Sequence, residues 1–149
     1  HNIHPLTECL KREETLMEYS GQRGFRVIRQ QTYELERFLQ SIAFREESRC
    51  RFCYHDRLLS TAKIALKGKF QGFSSTLLYS RFQNHDLIRE TGEAIAKKEG
   101  IPFFYRDFRV GWQEGIDASK NLGMYRQQYC GCIYSERDRF KERLIKRLN

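Results

Sequence analysis

Four of the five cysteines stand in two tight pairs, Cys50-x-x-Cys53 and Cys130-x-Cys132, with Cys9 left over. Two close pairs far apart in sequence read as two halves of one four-sulfur site, so the four side chains are expected to converge in the fold. A secreted disulfide scaffold would be shorter and would carry an even number of cysteines. The Cys50 pair is expected immediately before a helix, and the Cys130 pair, turned by Gly131, just before another. A helix N-terminus favours negative charge and lowers thiol pKa values, which suits thiolate ligands. Spacing alone leaves three occupants open: structural zinc, an iron–sulfur cluster, or metal-free redox or inert thiols. Cys9 is expected to be a small, half-buried side chain on the first helix.

Helical and strand-like segments alternate along the 149 residues. Helices are expected at Leu6–Ser20, Tyr33–Phe44, Tyr54–Leu66, Asn84–Glu99, Glu114–Leu122 and Ser135–Leu148, several of them closed by glycine. The last is expected to open with Ser135 and Asp138 in capping-box spacing. Strands are expected at Phe25–Ile28, Phe70–Leu78 and Phe103–Tyr105. This alternation predicts an α/β layered domain over residues 1–149, with a mainly parallel sheet and helical crossovers. Three strands are few for such a sheet, and the sequence does not begin with Met, so the first strands are expected to be missing from it. No apolar run approaches the roughly eighteen residues of a membrane span, and no lipidation or secretory segment is seen.

Lys plus Arg number 27 against 19 Asp plus Glu, a net charge of +8. Such a basic chain is suited to a polyanionic partner, most often nucleic acid. The stretch Arg106-Asp107-Phe108-Arg109-Val110-Gly111-Trp112 mixes cations with an aromatic ring and suits phosphate and base contacts, or is a solvated loop anchored by Trp112. Ser74-Ser75-Thr76, at the end of an expected strand, either binds a ligand or caps a loop. His4, His55 and His85 show no ligand pairing and read as surface or capping residues. Arg137, Arg143 and Arg147 on the last helix lie on a solvated face or track an RNA backbone.

The strings Asp107-Phe108-Arg109-x-Gly111-Trp112-x-Glu114-Gly115-Ile116 and Leu122-Gly123-Met124-Tyr125-Arg126-Gln127-Gln128-Tyr129-Cys130-Gly131-Cys132-Ile133-Tyr134-Ser135 closely resemble the epoxyqueuosine reductases of the QueH type. So do Arg49-Cys50-x-x-Cys53-Tyr54-x-x-Arg57-Leu58, Phe73-Ser74-Ser75-Thr76-Leu77-Leu78 and Asn2-Ile3-His4-Pro5. The resemblance implies a cytoplasmic enzyme that reduces epoxyqueuosine in tRNA to queuosine without cobalamin. It implies a 4Fe-4S cluster and a nearby iron, carried here by Cys50, Cys53, Cys130 and Cys132, and an electron donor as partner. It further implies an upstream strand and cysteine-rich segment, absent from these residues, whose thiols complete the centre. Opening the epoxide requires a general acid, and Tyr125, Tyr129 and Asp107 are the candidates nearest the Cys130 pair in sequence. The alternative from another class is a zinc-stabilised RNA-binding module without catalysis. A third reading, a relative of the ATP pyrophosphatases, lacks a glycine-rich phosphate loop.

Overall fold

The computed structural model describes residues 2–148, with the side chains of residues 2–147. The side chain of Leu148, expected on the apolar face of the last helix, lies outside the described residues. Six α-helices are seen among them: α1 (Leu6–Arg23), α2 (Leu35–Ile42), α3 (Arg49–Lys67), α4 (His85–Glu99), α5 (Trp112–Asn121) and α6 (Ile133–Leu148). Short 3₁₀ turns occupy Glu46–Ser48, Thr76–Tyr79 and Arg109–Gly111.

The expected α/β sheet is not formed: the described residues carry helices and one isolated β-bridge. Phe73 and Phe103 meet there in parallel, the Phe73 N–H donating to Pro102 O at 2.9 Å and the Phe104 N–H to Phe73 O at 2.8 Å. The pairing stops at once, because Ser75 Oγ accepts the Leu77 N–H at 3.2 Å and winds the next residues into a 3₁₀ turn. Phe25–Ile28 has the side chains of a strand but no partner strand. Phe25 and Ile28 are exposed there, and Phe25 instead sets its ring against Tyr19 with centroids 5.8 Å apart. Strand propensity reflects packing against neighbouring strands, so an unpaired run of such residues stays irregular.

The chain gathers into two compact units, residues 1–38 with 119–149 and residues 39–118. The second has an apolar core. Leu58, Ala62 and Ala65 of α3 pack with Ile88 and Ile95 of α4, and Tyr54, Phe73, Leu78 and Ile101 close the cluster. The helices expected to flank a sheet thus pack on each other. At Gly92 the ring of Phe103 lies where a Cβ would stand, so α4 can approach the bridge only with glycine there. Asn84 caps α4 through Oδ1, which accepts the Leu87 N–H at 3.0 Å.

The first unit buries polar groups instead. Asn2, His4, Glu8 and Ser20 are buried there beside Phe38, whose ring lies 5.0 Å from the His4 imidazole. His4 and, in the second unit, His85 are buried rather than at the surface, while His55 is exposed. Both stand at the start of a helix, His4 just before α1 and His85 as the first residue of α4.

Candidate functional site

Cys50 and Cys53 are the second and fifth residues of α3 and not before it, because that helix starts five residues earlier than its apolar spacing implies. Three residues apart on a helix, they share one face. Both are half-buried, and Cys50 packs against the apolar core of the second unit. Regular helical backbone sets their spacing and common face.

Cys130 and Cys132 lie in the loop that opens α6. Cys132 itself takes the capping position expected of Ser135. Its carbonyl accepts the Ser135 and Glu136 N–H groups at 3.0 and 3.1 Å, and its Sγ accepts the Ser135 N–H at 3.4 Å. Ser135 lies inside the first turn, with Oγ donating to Cys132 O at 2.7 Å and accepting from Cys130 Sγ at 3.0 Å. Asp138 completes no capping box and pairs instead with Arg137 at 2.9 Å. A hydrogen bond with Cys130, burial and the Cys130 charge push the Cys132 thiol well above the ordinary range. Two sulfurs this closely placed resist ionising together unless a cation joins them.

The loop is held by two residues of α1 that the sequence reading did not single out. Glu8 and Arg12 form an i,i+4 ion pair at 2.8 Å, both largely buried. Arg12 then donates from Nη1 to Cys130 O at 3.1 Å and from Nη2 to Tyr129 O at 3.0 Å. Its guanidinium lies 5.4 Å from the centroid of the Tyr129 ring. The other oxygen of Glu8 accepts the Tyr125 hydroxyl at 2.6 Å. The Tyr129 hydroxyl donates to His4 O at 2.7 Å, and the His4 N–H donates to Gly131 O at 2.6 Å. Gly131 has φ of +129°, and a Cβ there would crowd Arg12 Nη1 at 3.2 Å and Asn2 O at 3.3 Å. The segment from Tyr125 to Cys132 is thereby fastened to the start of the chain by a charged clamp. The only sequence signal for it is the Glu8–Arg12 spacing, which usually marks a solvated helix face.

The three proton-donor candidates separate clearly. Tyr129 is tied to a backbone carbonyl, and burial together with the Glu8 and Glu136 charges moves its pKa far upward. Tyr125 remains partly exposed, and its hydrogen bond to Glu8 raises its pKa. Asp107 is fully engaged by Arg109, whose Nε reaches both carboxylate oxygens at 2.8 and 3.0 Å. Those hydrogen bonds hold the Asp107 carboxyl below the usual carboxylate range, so it is a poor proton donor near neutral pH.

The hydroxyl run is spent locally: Ser74 Oγ donates to Phe104 O at 2.8 Å and Ser75 caps the 3₁₀ turn. Cys9 is half-buried beside a small cleft lined by Asn2, Ile3, His4 and Tyr33. Among the described residues no group of three or more His, Cys, Asp or Glu side chains is arranged to hold a single metal ion. Each cysteine pair offers two soft sulfur donors. In donor type that fits part of a thiolate-ligated cluster rather than a mononuclear site of mixed ligands.

Fold and sequence define a basic, mainly helical protein that carries two pairs of closely spaced cysteines. Among its described residues no helix is long and apolar enough to cross a membrane. A model of the family described as epoxyqueuosine reductase QueH matches residues 1–138. The epoxyqueuosine reductase QueH of Dehalococcoides mccartyi is 37% identical over 93% of this chain and 76% of its own length. Proteins of the same name from Thermotoga maritima and Histophilus somni are 36% and 31% identical, over 90% and 95% of this chain and 74% and 61% of their own. The chain belongs to the epoxyqueuosine reductase QueH family.

Proposed function

We propose that this chain reduces epoxyqueuosine in tRNA to queuosine by means of an iron–sulfur centre, in the cytoplasm where its substrate is found. The protein is an epoxyqueuosine reductase, an oxidoreductase. Converting the epoxide to an alkene consumes two electrons and two protons and releases water, and the electrons come from a one-electron donor protein or reagent. Cys130 and Cys132, and separately Cys50 and Cys53, are assigned as thiolate ligands, with a nearby iron as second component. Such a centre, when bound, supplies electrons singly and a Lewis acid for the departing oxygen.

The chain's own residues supply position and protons. Arg12 sets the carbonyls of Tyr129 and Cys130, and with them the direction of the Cys130 sulfur. Of the three candidates, Tyr125 is the proton donor: its side chain is partly exposed, and its hydroxyl is bonded to a buried carboxylate. Tyr129 acts by holding the loop. The observation that carries this reading is the continuous hydrogen-bonded path from the Tyr125 hydroxyl through Glu8 and Arg12 to the Cys130 carbonyl. The test is anaerobic reconstitution with iron and sulfide, followed by the ratio of queuosine to epoxyqueuosine in digested tRNA. A visible absorption band together with queuosine supports the assignment. A colourless, zinc-loaded protein that binds tRNA without turnover supports the structural module instead.

A further inference from the structure

Within the second unit, Trp112 is gripped by residues of the turn that precedes α4. The Tyr79 ring lies 5.1 Å away at 31°, and its hydroxyl donates to Trp112 O at 2.8 Å. Gly115 leaves the space that the Tyr79 hydroxyl fills. The Phe82 ring meets the indole edge-on at 5.8 Å, and the Arg81 guanidinium lies 5.8 Å from its centroid. This anchored group faces water with an unusual share of apolar surface. Phe82 is 84% exposed and Val110 93%, and Phe108 beside it is also exposed. Nothing in the core uses these rings.

We propose that Phe82, Trp112 and Arg81 form a stacking platform for an unpaired nucleobase of the RNA substrate. The inference rests on the tRNA reading above and assigns part of its contact surface. Flat rings held by neighbours take up a base at little entropic cost, and every base presents a face to stack on. The Arg81 guanidinium over the indole adds its own stacking plane and a phosphate contact. Among the described residues no carboxylate pairs with Arg81, so its charge is available to a polyanion. Exposed aromatics beside such a cation, on a chain of net charge +8, are complementary to single-stranded RNA. Trp, Phe and Arg are enriched in protein interfaces as well, so it is the chain's net charge of +8 that favours a polyanion over a protein partner here.

Trp112 is the only tryptophan, so its fluorescence reports the platform directly. The full chain is titrated with an unmodified anticodon stem–loop RNA, and epoxyqueuosine reduction is assayed in the same preparation. Binding should quench Trp112. Phe82→Ala should weaken binding about 5- to 150-fold, the range of one lost base stack, with the salt slope unchanged. Phe82→Tyr should restore affinity, and Arg81→Ala should lower the slope by about 0.7. Phe82 is so exposed that its replacement leaves the fold intact. Unquenched fluorescence with equal affinity for wild type and Phe82→Ala overturns the platform and leaves the patch to a protein partner. If turnover persists in that case, the reductase reading stands without the platform. If the wild type binds no RNA, the platform and the tRNA reading fail together.

Discussion

Cys50 and Cys53 ride on a regular helix whose inner side is packed with Leu58, Ala62 and Ala65. Cys130 and Cys132 sit in a loop whose every bend is tied by a polar contact to Arg12, His4 or Ser135. The first pair inherits its geometry from α-helical backbone and an apolar core. The second depends on single hydrogen bonds and one buried ion pair, each of which can be removed by one substitution. A loop can aim sulfurs in directions a helix does not offer, but its precision is then distributed over residues far away in sequence.

The contrast sharpens under mutation. Leu58 is 1% exposed, and Leu58→Ala should cost about 3–4 kcal/mol, measured by urea unfolding, with little dependence on salt. A loss below about 1 kcal/mol would mean that the α3–α4 contact is not the structural base of its cysteine pair. Arg12→Ala should cost about 3 kcal/mol, because it strands the buried Glu8 carboxylate and two carbonyls. It should also raise the alkylation rate of Cys130 in the metal-free protein while leaving Cys50 unaffected. Equal changes at both pairs would erase the distinction between them.

The smallest effect belongs to Tyr125→Phe, about 1.5 kcal/mol at neutral pH, from loss of one hydrogen bond to a charged acceptor. Its pH dependence has a definite sign. The folded state raises the Tyr125 pKa, so this stabilisation is complete below the ordinary tyrosine value near 10 and is lost as pH rises through the folded value. The gap between wild type and variant should therefore be full at about pH 7 and narrow above about pH 10. A gap that widens with alkalinity would mean that Tyr125 is not the donor to Glu8.

The helices were legible because their apolar spacing is long and repeated: Leu58, Ala62 and Ala65 are buried where the α3 pattern puts them. The strands misled because short β-branched or aromatic runs state a preference and not a partner. Phe103-Phe104-Tyr105 found one bridge, and Phe25–Ile28 found none. At the candidate site, the paired cysteines stood out by type and spacing, and Tyr125, Tyr129 and Asp107 only by nearness in sequence, whereas Glu8 and Arg12 did not stand out at all. An acid and a base four apart on a polar helix look like solvent-facing charges until a loop from the far end of the chain packs over them. Ser135 has the residue type of a cap, but Cys132 lies three residues earlier, immediately before α6 begins, and accepts the Ser135 N–H.

The central claim is that the clamped Cys130–Cys132 loop belongs to the reductive centre and not to the RNA-binding surface. Cys132→Ser keeps the volume and the capping geometry but replaces a thiolate with a poor iron ligand. The decisive measurement is the ratio of queuosine to epoxyqueuosine in tRNA treated with this variant, taken beside a tRNA binding titration. The account predicts turnover reduced by more than about 10- to 100-fold, the loss that removing even an outer-shell partner of a metal ligand causes, with binding within about twofold of wild type. Near-normal turnover in Cys132→Ser would contradict it.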